Sequence, residues 1–321
     1  MGGLADAALL AAVAVGCARS AHALLRASWP RRSPAAAILL WQALGLAGGL
    51  AAVEALLAVG VDDPASKSST AHSALGMPGV VGGLTWLASG HLLSPRQPPL
   101  VAITRLMALA AGLALLSVLC WMLVIAFAGA VGARRRQREL LALLAHGDPK
   151  APGALVIDYP AAAAYCLPGI RSQIVVSAGT LDLLAPAELA AVLAHERAHL
   201  RARHDLVLIP FTSLRRTFPR SGVVTQAHRA VALLVEMMAD DRALRVRGLF
   251  ARELATALLR FGTAGTECAP AGALAAAEGE LTARVNRLLT PPPPLSRPAQ
   301  AVVVLAAALL VTAPLLLLVM P

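Results

Sequence analysis

The chain has 321 residues, 58% of them hydrophobic and only 14% charged, with a mean hydropathy of +0.69. No soluble core of this size hides that much apolar surface, so the composition excludes an ordinary soluble protein and assigns the excess to lipid. The net charge of +10 is almost wholly arginine, which in a multi-spanning chain marks the cytoplasmic face beside anionic lipid; with 3% aromatic residues it supplies no stacking platform, so no direct nucleic-acid binding is expected.

Four stretches reach the length of about 20 mostly apolar residues that a span needs. The first runs from about Leu4 to Leu25 and carries Arg19 and His22. It lacks the charged region that precedes the apolar stretch of a signal peptide and is read as a span. The second runs from about Ala35 to Val59, with Glu54 inside it. Met77–Ser94 is moderately apolar but rich in glycine and reads as a loop or a re-entrant piece. The third span, about Leu100 to Gly132, is long enough to tilt or to emerge as a soluble helix. The fourth, about Ala299 to Val319, is uncharged. Cys17, Cys120, Cys166 and Cys268 show no CxxC pair and read as small buried hydrophobes.

Placement of arginine sets the orientation. Arg26, Arg31 and Arg32, then Arg134, Arg135, Arg136 and Arg138, then Arg297, all fall on one side if both termini lie outside. The loop from Gly60 to Pro99, with Asp62 and Asp63, then faces outward, and the region between Arg134 and Arg297 is cytoplasmic. The expected protein is thus a multi-pass protein of the cell membrane in contact with lipid. Residues 1–133 form a membrane domain with three spans (about 4–25, 35–59 and 100–132), residues 134–295 a cytoplasmic domain, and residues 296–321 the fourth span.

The cytoplasmic region reads as α+β. Gly153–Asp158 and Ser172–Ser177 contain β-branched runs suited to strands, and Ala161–Cys166 between them is a further extended segment. Pro186 and Glu188 open a helix that runs to about Ala202. Further helices are predicted over about Ala227–Val246, Arg252–Phe261 and Leu274–Leu289, with a Gly/Ala/Thr linker over Gly262–Gly272.

Residues 195–199 read His-Glu-Arg-Ala-His. On a helix, His195 and His199 at i and i+4 project from one face and can reach one metal ion. Glu196, turned by about 100° from His195, flanks that ion and can take a proton from the attacking water instead of ligating. The apolar run Leu189–Ala194 before them is a poor place for unpaired His and Glu, which argues against accidental surface histidines.

Zinc, the ion that suits such a set, needs a third protein ligand and an open position. His204 is one candidate, although it lies five residues after His199, and a third histidine six after would fall on Asp205. The better candidate is Glu236 on a second helix, with Asp240 one turn later on the same face to orient an imidazole. Asp241 points elsewhere, as a solvated or salt-bridging residue.

HExxH followed by Glu-x-x-Ala-Asp resembles the membrane gluzincin metallopeptidases, whose core is shared by CAAX/HtpX-type proteases and BlaR/MecR-type antirepressor peptidases. Ala164-Tyr165-Cys166-Leu167-Pro168-Gly169, Ile174–Ser177 and Leu181–Leu184 before the motif, and Arg284-Val285-Asn286-Arg287-Leu288-Leu289 after it, are similar to the second group. The resemblance covers about residues 134–295. It implies a mainly α membrane protein with about four transmembrane helices and a cytoplasmic α+β zincin-like metalloprotease domain. It further implies Zn²⁺ held by His195, His199 and Glu236, with Glu196 as general base and Asp240 as orienting acid. The implied activity is endopeptidase cleavage, in signal transduction, of a BlaI/MecI-like DNA-binding repressor. One departure is that the chain ends at Pro321 after its fourth span, without the penicillin-sensing domain of the best-known members.

A substrate would lie along an edge strand, for which Ala163–Cys166 is the candidate. Arg242, His228 and Tyr165 are candidates for stabilising the oxyanion. Two rivals remain: an HtpX-like quality-control protease, and a non-catalytic membrane scaffold stabilised by zinc. Arg19, His22, Glu54 and Arg105 are scattered through the spans without the paired pattern of a transporter.

Overall fold

The computed structural model describes residues 2–61, 98–169, 172–246, 248–264 and 271–319. The chain divides into two compact units. The first comprises residues 1–27, 36–122 and 296–321. It holds helices α1 (Gly2–Arg26) and α2 (Pro34–Val61), the first part of α3 (Pro99–Leu144), and α10 (Arg297–Val319). Among the described residues these four helices are long and apolar enough to cross a membrane. Trp41, Leu44, Ala47, Ala51 and Leu57 of α2 are buried. Helix α2 meets α3 closely because Gly112 has no side chain: a Cβ there would stand 2.9 Å from Leu57 Cδ2. Such small-residue contacts let apolar helices approach without a water-driven core.

Each helix lies within a few residues of its predicted stretch, apart from the third. Helix α3 continues past Gly132 and through Arg134–Arg138 to Leu144, since nothing in Arg-Arg-Arg-Gln-Arg-Glu-Leu-Leu breaks a helix. The loop carrying Asp62 and Asp63, the Met77–Ser94 stretch and Cys268 lie outside the described residues.

The second unit comprises residues 28–35 and 123–295. Its sheet has the order β1-β2-β4-β3, from Ala145–Gly147, Leu155–Ile157, Gln173–Ser177 and Ala164–Leu167 respectively. β2 and β4 run parallel, and β3 pairs antiparallel with β4 in the register Ala164↔Val176, Cys166↔Ile174. β4 lies inside the sheet, with Val175 and Val176 at 0% exposure, and β3 is left at the edge. Helices α4 (Ala178–Leu183), α5 (Pro186–Ala202), α6 (His204–Thr217), α7 (Gly222–Ala243), α8 (Ala251–Ala264) and α9 (Ala271–Leu289) follow. Val156, Ile174 and Val176 of the sheet pack with Leu189, Val192 and Leu193 of α5 and Ala257 of α8, so α5 lies between sheet and helices. The strand β1 and the helices α4 and α6 are absent from the expected elements, and residues 28–35 join this unit although the sequence puts them among the spans.

Two buried hydroxyls anchor the approach to the edge strand. Ser177 Oγ donates to Ala161 O at 2.8 Å, and Thr180 Oγ1 donates to Ala163 O at 2.9 Å. The Ala163 N–H sits 2.8 Å from both hydroxyl oxygens. Between them, Gly179 packs directly under the Pro160 carbonyl, where a Cβ would collide with backbone, and its N–H donates to Tyr159 O at 3.0 Å. We expect Gly179→Ala to destabilise this unit by about 1–3 kcal/mol through overpacking. A melting temperature of the variant in detergent equal to that of the wild type would refute this.

Candidate metal centre

Helix α5 begins at Pro186, whose fixed φ suits the first turn, and the Ala185 N–H donates to Glu188 Oε2 at 2.8 Å. It ends at Arg203, a non-glycine residue with φ +49° in the left-handed region. That residue turns the chain sharply enough for α6 to begin at His204 and fold back on α5. Helix α7 starts at Ser221, whose Oγ accepts the Val224 N–H at 3.4 Å, and it packs along α5.

This packing brings three ligand types to one point. His195 Nε2 and His199 Nε2 are 3.0 Å apart, and Glu236 Oε2 and Oε1 lie 3.3 and 3.5 Å from them respectively. Ligand atoms about 2.0–2.1 Å from a tetrahedral zinc stand about 3.3 Å from one another. The observed spacings are of that size, and one ligand atom from each of the three residues lies within 4.8 Å of the other two. Two nitrogens and a carboxylate oxygen all turn lone pairs inward, an arrangement that requires a proton or a cation between them. Burial disfavours a charged His195, but the facing carboxylates of Asp240 and Glu236 outweigh it and hold its pKa up at about 9. Burial likewise opposes ionisation of Glu236, yet His195, His199 and Arg284 hold it well below the usual carboxylate range. The pocket thus favours positive charge at its centre, as a proton or as a metal ion in competition with it.

A second layer surrounds these three. Asp240 Oδ1 lies 2.9 Å from His195 Nδ1, an ion-pair contact that is not aligned as a hydrogen bond, and Asp240 is 1% exposed. His204 Nδ1 lies 3.0 Å from His199 Nδ1, and the fully enclosed ring of His204 is held neutral, its pKa lowered to about 4 chiefly by burial. His204 therefore sits behind His199, outside the ligand set, because the turn at Arg203 brings it to the ring's far nitrogen. Arg284 of α9 reaches both Glu236 and Asp240. The sequence reading places Arg284 only in a similarity motif and gives it no part in the site; its signal is two arginines three residues apart on a helix that ends at a proline run.

Glu196 is half-buried beside the cluster, and its charge acts on the Cys166 thiol of the edge strand. Burial raises its pKa, and burial together with the Glu196 charge pushes the Cys166 thiol up to about 12. Strand alternation separates Cys166 from Tyr165: Cys166 packs toward Val192 and the α5 side, Tyr165 toward Leu141 and Val175. Tyr165 thus faces away from the metal side of β3. Arg242 Nη1 lies 3.4 Å from His204 Nε2, and His228 Nε2 lies 3.3 Å from Thr212 Oγ1. Of the three oxyanion candidates, Arg242 thus contacts His204, His228 contacts Thr212, and Tyr165 packs with Leu141 and Val175. Asp241 pairs with Arg287 at 2.6 Å, as a salt-bridging residue.

Residues 130–278 match the profile of Peptidase family M48. The chain carries a Peptidase family M48 domain. That domain implies a zinc metallopeptidase, and the clustered His195, His199 and Glu236 lie inside it. No curated protein and no solved structure matches the chain. The M48 match ends before Arg284.

Proposed function

We propose that this chain is a membrane-embedded, zinc-dependent endopeptidase whose M48 domain faces the cytoplasm and cleaves a BlaI/MecI-like DNA-binding repressor in signal transduction. The observation that carries the catalytic part is the convergence of His195, His199 and Glu236, their ligand atoms within 4.8 Å of one another, with Glu196 beside them. Those three residues would hold the ion, which supplies Lewis acidity toward the scissile carbonyl and the attacking water when bound. Glu196 takes the proton from the attacking water and passes it to the leaving amine. Asp240 orients His195 through Nδ1. The free edge of β3 pairs with an extended substrate through backbone hydrogen bonds and lays it across α5. The cytoplasmic placement is supported by Arg134, Arg135, Arg136 and Arg138 at the point where α3 leaves its apolar stretch, with both termini outside and lipid around the four long helices.

A second reading, an HtpX-like quality-control protease, is favoured by the same β3 edge, since backbone pairing is indifferent to substrate sequence. Cleavage of a single repressor at one bond separates the first reading from the broad peptide products of the second.

The decisive experiment is metal analysis of detergent-purified protein, wild type beside Glu236→Ala. We expect about one zinc per wild-type chain and loss of it in the variant. A folded wild type without zinc would leave a membrane scaffold and end the peptidase reading. Zinc retained by the variant would remove Glu236 from the ligand set.

A further inference from the structure

We infer that Arg284 is a positioning residue of the metal centre, which fixes Glu236 and Asp240 in the orientation that the ligand set requires; the inference rests on the metallopeptidase reading above. Arg284 stands on α9, outside the residues matched to the M48 profile. Its guanidinium engages both carboxylates at once: Nη2 and Nε reach Asp240 Oδ1 and Oδ2 at 2.7 and 3.0 Å, and Nη1 reaches Glu236 Oε2 at 3.0 Å. The side chain is only 12% exposed.

Two physical needs converge on this arginine. Glu236 and Asp240 stand four residues apart on α7, so their like charges face each other beside His195 and repel. One cation between them removes the repulsion without protonating either. The terminal torsion of a glutamate is also broad and roughly two-fold, so nothing within Glu236 decides which oxygen faces the metal. A contact to Oε2 from outside α7 settles it, and a planar fork does so with direction as well as charge. Lysine supplies the charge but not the fork.

The same helix provides its own control. One turn after Arg284, Arg287 pairs with Asp241 at 2.6 and 2.8 Å and donates to the Arg31 carbonyl at 2.8 Å. Arg287 thus ties α9 to α7 just as firmly, but through a carboxylate that is not in the site. If Arg284 only docks α9, the two arginines are equivalent; if it positions the ligand set, only Arg284 governs the metal.

The test measures zinc affinity by chelator competition on the full-length protein in detergent, for wild type, Arg284→Gln, Arg284→Lys and Arg287→Gln. Thermal melts of the metal-free forms establish folding. We expect Arg284→Gln to weaken zinc binding about 10–100-fold and Arg284→Lys to restore part of it, as loss of an outer partner of a metal ligand does. Arg287→Gln should lower the melting temperature while keeping zinc affinity within about twofold of wild type. Zinc affinity unchanged in a folded Arg284→Gln overturns the inference, and so does an equal loss in Arg287→Gln. If Arg284→Gln does not fold, the lysine variant decides: wild-type affinity in it refutes the need for the fork. A wild type that binds no zinc fails at the earlier step and overturns the metallopeptidase reading together with the inference.

Discussion

Glu196→Gln is expected to lower peptide cleavage by on the order of 10²–10⁴-fold while leaving zinc in place, the range lost with a general base. His195, His199 and Glu236 supply the ligand atoms, and Glu196 is not among them. Its half-buried carboxylate lies close to the Cys166 thiol of the edge strand, and burial raises its pKa above the ordinary glutamate value. Glutamine keeps the shape, but it cannot carry the proton. Turnover and metal content measured on one preparation decide the matter. Near-wild-type turnover would remove the proton-carrying role, and loss of zinc would show that Glu196 belongs to the ligand set after all.

Asp240→Asn carries the second large expectation. The aspartate is 1% exposed, sits 2.9 Å from His195 Nδ1 and takes two contacts from Arg284. Burial opposes its ionisation, but His195 and Arg284 hold its pKa below the ordinary aspartate value. Removing one partner of a buried ion pair costs about 3–5 kcal/mol, and because Arg284 keeps Glu236 as a partner we expect the lower end, about 3 kcal/mol. Zinc affinity should fall about 10–100-fold as His195 loses the buried negative charge beside its Nδ1. Melting curves with and without zinc separate the two effects. A variant that melts and binds zinc like the wild type would leave Asp240 without a role.

What could be read from the sequence was local, and what could not was long-range or lacked a side-chain signature. The His195–His199 pair is legible because its geometry is contained within one helical turn, and α5 is bounded by Pro186, so its start is marked. Glu236 and Asp240 were legible by the same one-turn spacing. The break between α5 and α6 was not, since Arg203 takes the left-handed conformation with no glycine to announce it. His204 consequently remained a rival ligand until the turn placed it against the far nitrogen of His199. Strand β1 has no β-branched residue in Ala145-His146-Gly147 and exists only because Leu155–Ile157 pairs with it. Tyr165 could not be separated from Cys166 by composition: in a strand, neighbours face opposite sides, and the side is set by which of them α5 covers. Arg284 was the hardest case, because it lies more than forty residues from both carboxylates and meets them only after α9 has docked.

The short 3₁₀ turn Trp29–Arg32 folds with residues 123–295 and is gripped there by Arg287 on the Arg31 carbonyl, while Arg32 Nε donates to Pro293 O at 2.9 Å. The body that contains the metal ligands is therefore assembled from two separate lengths of chain, with α2 threaded between them in the sequence. A fragment cut to begin at Arg134 omits one of those lengths and takes away the acceptor of Arg287 Nε and the donor to the Pro293 carbonyl, whatever detergent or tag accompanies it. Expression of the peptidase by itself has to graft residues 28–35 back onto the end of α9, where they belong in space though not in sequence.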